Sequence, residues 1–226
     1  MSRQRASTDK VHGQIRADIL GGVFAPGQKL KFADLGQRYG ASVSAIRECL
    51  TRLTEQRLVV AEPMVGFRVM PLTAEDLCDL TDTRIDLEVL ALRGAIEHGG
   101  VDWESDLVAA HHRLERTPMT APDAPRTMSD EWEQAHTAFH AALLAGCRRP
   151  RLLAMTESLR DATALYRRWA VQREPKRDGI DEHRAILEAA LAGDVDAATE
   201  ALRAHYATTA EILSEGLSSP LPRTQG

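Results

Sequence analysis

The strongest constraint on the fold lies between Asp34 and Met70, where two short helical patterns and two short strand patterns follow with almost no linker. Asp34–Tyr39 reads as a short helix that stops at Gly40, a residue able to adopt positive φ at a helix end. Ser42 is a good N-cap for a second helix, because its hydroxyl can accept an orphan backbone N–H. In that helix Ile46, Leu50 and Leu53 recur at spacings of four and three and form one buried stripe. Two helices joined by a short glycine-containing turn make a helix-turn-helix. Downstream, Leu58–Ala61 and Phe67–Met70 are rich in strand formers and flank Glu62-Pro63-Met64-Val65-Gly66, the pattern of a small hairpin or wing.

Ser44, Arg47 and Thr51 lie away from the buried stripe. Short hydroxyls approach phosphates and bases closely, and an arginine fork grips guanine edges or phosphate, so this face suits a DNA major groove. Alone, the second helix is equally well explained as a capped surface helix; the ordered series of helices and hairpin is far more specific. Residues 1–7 are polar and expected to fray. Thr8 is placed to cap a first helix carrying Val11, Ile15 and Ile19, closed by Gly21-Gly22. Lys31, Arg38 and Arg52, with Gly66 and Arg68 of the hairpin, complete the candidate DNA contacts beside Ser42, Ser44 and Arg47. Each charge taken singly is more often just a solvated one.

Total charge hides a division. The chain carries −5 overall, but residues 1–70 hold eleven Lys and Arg against six Asp and Glu, a net +5 that leaves −10 for the remainder. A basic head on an acidic body suits a phosphate-binding module joined to a regulatory one. No apolar run approaches the ~20 residues needed to cross a bilayer, and the N-terminus is no secretion signal. Cys49, Cys78 and Cys147 are odd in number and far apart, as expected of reduced thiols in a cytoplasm.

Pro71 marks the boundary, giving a DNA-binding domain over 1–70, a helical domain over 71–217 and a flexible tail over 218–226. Thr73-Ala74-Glu75-Asp76 resembles a capping box opening a long helix that ends at Gly99-Gly100. Asp102 is placed to cap the next, Ser129 a third, and Pro150 suits the first position of a fourth. The stretch 117–127, with three prolines, reads as a loop. Two last helices meet at Gly193-Asp194, and no strand pattern appears after Met70. The fold class is therefore mainly α: a winged helix-turn-helix followed by an antiparallel bundle of about six helices.

Four histidines of this bundle have informative positions. His136 and His140 are four apart, on one face of a helix, a spacing that can clamp a metal ion; Glu133 shares that face. His183 and His205 lie 10 residues before Gly193 and 11 after Asp194, so a tight hairpin brings them level, ~15 Å from the turn at ~1.5 Å per residue. A four-ligand site between facing helices follows, although single helical histidines are commonly surface or packing residues.

From Val11 to Val69 the chain resembles the DNA-binding domain of the GntR family of bacterial transcription regulators. The resemblance is carried by Phe24–Leu30, Tyr39–Ser44, Ile46-Arg47-Glu48, Leu58-Val59 and Gly66-Phe67. It implies that Arg47 contacts DNA. Two positions depart: Val43 stands where the family usually has arginine, and Val65 where the wing usually has a basic residue. From Val69 to Leu213 the chain resembles the effector domain of the FadR-type (FCD) branch, through Arg84, Phe139-His140, Glu182–Leu187, Gly193-Asp194 and Ala204-His205.

That branch implies a divalent metal held by an aspartate and three histidines, here His140, His183 and His205, with His136 in the aspartate's place. Four imidazoles favour zinc, or nickel, over magnesium or calcium; His136 swinging away would leave three ligands. The resemblance also implies a small carboxylate effector, for which Arg84 is the candidate clamp, an ion pair with Glu88 being the alternative. The function implied is a metabolite-responsive regulator, a repressor by expectation, acting as a homodimer on a double-stranded operator without membrane or catalytic activity. A regulator with a purely structural metal is the first alternative, a metal-dependent hydrolase the second.

Overall fold

The computed structural model describes residues 2–121, 124–173 and 179–218. Their contacts divide into two compact units, 1–73 and 74–226.

The first unit holds α1 (Ser2–Leu20), β1 (Lys29–Leu30), α2 (Phe32–Tyr39), α3 (Val43–Glu55), β2 (Val59–Glu62) and β3 (Gly66–Val69). Gly40 ends α2 with φ 62°, in the left-handed region that disfavours a side chain. Ser42 caps α3 by accepting the Ala45 N–H at 3.3 Å. The stripe of α3 is buried as its period requires: Ile46, Leu50 and Leu53 are inaccessible and share a core with Ile15, Ile19, Leu35 and Val69. Each such side chain contributes roughly 1.5–3 kcal/mol on burial. β2 and β3 form the expected antiparallel hairpin, with Ala61 opposite Phe67.

Two expectations for this unit are corrected. α1 starts at Ser2 instead of being capped at Thr8, because the residues before Thr8 include good helix formers and no breaker. Thr8 lies buried inside the helix, where its carbonyl accepts the Cys49 thiol at 3.5 Å. The sheet also has three strands in the order β1-β3-β2, since Lys29-Leu30 pairs with Arg68 and Phe67.

The second unit holds α4 (Ala74–His98), α5 (Val101–Arg116), β4 (Thr120–Ala121), β5 (Ala124–Met128), α6 (Asp130–Ala145), α7 (Pro150–Arg173), α8 (Ile180–Leu191) and α9 (Val195–Ser218). α4 packs against α7 and α9, α5 against α6 and α8, and α8 against α9. Leu92, Leu107, Phe139, Leu143, Ile186 and Leu202 form the centre of its core. Ser129 caps α6 through the Trp132 N–H at 3.2 Å, Pro150 opens α7, and Asp194 caps α9 through the Ala197 N–H at 3.0 Å.

Here too the structure corrects local expectations. The stretch read as a proline loop contains an antiparallel pair, β4 with β5, in which Thr120 faces Met128. Each strand of a two-stranded ribbon is an edge strand, and a proline whose nitrogen faces away from the partner costs no ladder bond. Its Met128 is buried in the helical core. Asp102 falls in the first turn of α5, with Gly100 at the cap; its charge there still favours the positive end of the helix. Of the tail expected over 218–226, Ser218 closes α9 and the rest lies outside the described residues.

Candidate metal centre and DNA-reading surface

His136 and His140 project from successive turns of α6, His183 from the first turn of α8 and His205 from mid-α9. All four are buried, and one ring nitrogen from each lies within 4.8 Å of the corresponding atom on every other. Ring centres are 4.6 Å apart for His136 and His140 and 4.5 Å for His183 and His205, so the hairpin brings its pair level. Trp132, one turn before His136, stacks on that imidazole at 4.7 Å. Gly179 caps α8 with φ 64°, and a Cβ there would meet Cε1 of both His183 and His205 at 3.6 Å.

Electrostatics keep these rings available as donors of lone pairs. Burial pushes the His136 and His140 imidazoles well below the usual histidine range, reinforced by Arg167 for His136 and by the neighbouring imidazoles for His140. Nδ1 of His136 and Nε2 of His140 are buried without a hydrogen-bond partner. An unsatisfied buried nitrogen of this kind costs about 1–3 kcal/mol, and a cation accepting its lone pair removes the cost.

Neighbouring groups set which nitrogen is offered. The Tyr206 hydroxyl donates to Glu88 Oε2 at 2.6 Å and lies 3.2 Å from His140 Nδ1. With its proton spent on Glu88, the phenol oxygen can only accept from His140 Nδ1–H, which leaves the Nε2 lone pair facing the cluster. Burial and Glu88 raise the phenol pKa and keep that proton in place. His205 Nδ1 is likewise 2.8 Å from Glu182 Oε2, which directs its Nε2 inward. A tetrahedral zinc ion, with bonds of about 2.0–2.1 Å, needs nitrogens about 3.3–3.4 Å apart. The four imidazoles fit such an ion after a small inward settling of the rings.

Glu133 does not join the cluster. It holds Arg167 through a two-pronged ion pair, at 2.6 and 3.3 Å. Arg84 is buried on α4, where Nε donates to Glu88 at 3.0 Å, Nη1 to Thr163 at 3.3 Å, and the guanidinium lies 4.2 Å over the Tyr206 ring. The ion pair weighed as the alternative role for Arg84 is therefore present.

In the head, Lys31, Ser44 and Arg47 are exposed, and Ser42 is committed to capping. The Arg47 guanidinium sits 4.7 Å over Phe32, whose ring packs edge-on against Phe67 of the wing. Arg38 pairs with Asp18 at 2.9 Å, Arg52 with Asp9 at 2.6 Å, and Arg68 with Glu62 at 2.8 Å. These pairs are at least partly exposed, so solvent screens them and each gives way readily to a phosphate. Gly66 has φ 115° at the start of β3. Val43, Met64 and Val65 are exposed at the start of α3 and on the wing.

Residues 7–69 match the model of the bacterial regulatory proteins of the gntR family, and residues 79–208 match the FCD domain. The chain belongs to the GntR family. Its two-part order is that of the FadR-type subgroup, and it is a DNA-binding transcriptional regulator. The HTH-type transcriptional repressor GlaR of Escherichia coli K12 is 36% identical over 209 residues, covering 90% of this chain and 94% of GlaR. The regulator BphR of Paraburkholderia xenovorans LB400 is 34% identical, covering 93% and 86%. Among solved structures, the GntR regulator of Rhodococcus sp. RHA1 superposes with a TM-score of 0.71 at 24% identity, over 97% of this chain and all of that one. E. coli McbR/YncC gives 0.71 at 20% identity, over 93% and 98%. These structural likenesses speak for the fold. Among the described residues, no helix is long and apolar enough to cross a membrane.

Sequence reasoning missed Tyr206, Glu182 and Arg167 as supports of the histidine cluster. Tyr206 adjoins His205 in sequence, yet its use depends on α4 supplying Glu88. Glu182 carried a usable signal: an acid immediately before His183, at the same level of the hairpin as His205.

Proposed function

We propose that this GntR-family protein is a metabolite-responsive repressor whose helical domain binds one zinc-like ion through His136, His140, His183 and His205 and senses a small organic acid beside it. The observation that carries the reading is the convergence of four buried imidazoles with their donor atoms within 4.8 Å. Neutral nitrogen donors suit zinc or nickel, and they leave the ion's full charge to attract a carboxylate. Repression is drawn from the similarity to GlaR, which is named a repressor. In the head, Arg47 with Ser44 reads base edges, and Lys31, Arg38, Arg52 and Arg68 engage phosphates. A homodimer sets two such heads on half-sites of a pseudo-palindrome, and an acid that favours one arrangement of the heads shifts the population bound to DNA.

One observation favours a second reading. Four protein ligands saturate a tetrahedral zinc ion, as in structural sites, whereas sensing through the metal requires a fifth position or release of one imidazole. Thermal melting of the protein with zinc, with chelator, and with each of a panel of small carboxylates separates the two. Sensing predicts a further rise in melting temperature from an acid only when zinc is present, with loss of operator binding by fluorescence anisotropy. Stabilisation by zinc alone, unaltered by any acid, assigns the ion a structural role.

A further inference from the structure

The first turn of α3 exposes a side chain that helix formation does not call for. Ser42 is spent on capping, and the exposed side chains of the next two turns are Val43, Ser44, Arg47 and Glu48. Val43, the first helical residue, is 55% exposed, while Ile46, Cys49, Leu50 and Leu53 fill the buried face. A branched side chain lowers helix propensity, and the positive end of a helix dipole favours an acid. The first turn of α3 holds no acid, which keeps that end of the helix open to a polyanion.

Spacing ties Val43 to the reading face. Val43 and Arg47 are four apart on one helix, so their side chains share a face with about 5–6 Å between Cβ atoms. Arg47 is braced there: its guanidinium lies 4.7 Å over Phe32, which packs edge-on against Phe67 of β3. In a helix-turn-helix the N-terminal residues of the second helix meet base edges in the major groove. A separation of about 5–6 Å spans fewer than two base-pair steps of about 3.4 Å.

We infer that Val43 is a specificity-determining residue that reads the 5-methyl group of a thymine, within about two base pairs of the base edge that Arg47 contacts. The inference rests on α3 being the reading helix, as proposed above, and adds the base that its first residue selects. The thymine methyl is the apolar group of the major groove, and an isopropyl side chain has no hydrogen-bonding atom with which to read any other feature there. Guanine, adenine or cytosine brought against it would lose water from polar edge atoms and gain no replacement hydrogen bond. Met64 and Val65 are also exposed, on the wing, but a wing laid in the minor groove does not meet this methyl.

The test starts from the duplex that the full-length protein selects out of a randomised double-stranded pool. Each thymine of that duplex is replaced singly by deoxyuridine, which removes the methyl and keeps the base pair, and affinity is read by fluorescence anisotropy. At least one such replacement is expected to weaken wild-type binding about fourfold, the worth of one buried methyl, and to leave Val43→Ala unaffected. At that position cytosine should bind worse than thymine, and 5-methylcytosine should recover part of the loss. Val43→Arg should move the preference there to guanine, through its O6 and N7. If no deoxyuridine weakens binding, or Val43→Ala responds as the wild type does, the inference fails. It fails equally if Val43→Arg raises affinity alike for all sequences and steepens the salt dependence by about one phosphate, since the side chain then faces the backbone. In either case Arg47→Ala still relaxes selection at its own base pair. If Arg47→Ala selects as the wild type does, or the wild type selects no sequence, α3 is not the reading helix and both readings fall together.

Discussion

Tyr206→Phe isolates the link between the buried charges and the metal ligands, because it deletes one oxygen and leaves the ring in place. That oxygen donates to Glu88 at 2.6 Å and stands 3.2 Å from His140 Nδ1. Losing a hydrogen bond to a charged group costs about 1.5–3 kcal/mol, and the stranded Nδ1–H adds about 1–3 kcal/mol unless water enters. A combined loss of about 2.5–6 kcal/mol in a domain of roughly 150 residues lowers its melting temperature by about 5–24 °C. Metal affinity should suffer separately, since removing a partner of a ligating histidine typically weakens binding about 10–100-fold. Competition against a chromophoric chelator measures that affinity, and melting of the chelated protein measures the metal-free stability. Both losses are expected. A variant that melts lower but holds zinc as tightly as the wild type would refute the assignment of the Tyr206 oxygen as the group that orients His140.

Three further outcomes are expected. His136→Asp restores the carboxylate usual in the resembling family, and should shift preference from zinc or nickel toward manganese or magnesium; an unchanged order of affinities would mean His136 does not ligate. Arg47→Ala should weaken operator binding by roughly 1–3 kcal/mol in gel-shift titrations, and equal affinity would remove Arg47 from the reading face. Burial depresses His136 and His140, so below about pH 6.5 the unfolded chain binds more protons than the folded one. The stability these neutral rings permit is complete above that pH and lost as pH falls toward their folded values. Melting of the chelated protein should therefore drop between about pH 7 and pH 5, less steeply in His136→Asn; identical profiles would contradict it.

Much of this architecture was legible because its signals are local. Gly40, Ser42, Ser129, Pro150 and Asp194 each terminate or begin a helix through one backbone requirement, and each is used so. The histidine cluster was legible for a geometric reason: a tight hairpin converts distance from the turn into height, which levels His183 with His205. What escaped depends on long-range pairing. Lys29-Leu30 and Thr120-Ala121 are too short to show a strand period, and their partners alone define them. Thr156, Arg160, Thr163 and Arg167 recur along α7 at helical spacing and are buried, but as polar residues they add nothing to an apolar period. That Arg84 pairs with Glu88 across one helical turn, and not with a ligand, turns on Thr163 and Tyr206 enclosing it, a matter of tertiary packing.

The central claim is that four imidazoles from three helices hold one cation. Metal analysis and X-ray absorption on the purified protein test it most directly. One zinc or nickel ion per chain is expected, in a shell with imidazole nitrogens at about 2.0–2.1 Å, lost from a His140→Ala/His183→Ala double variant that still folds. No bound metal after incubation with zinc, or a shell containing sulfur, would contradict it.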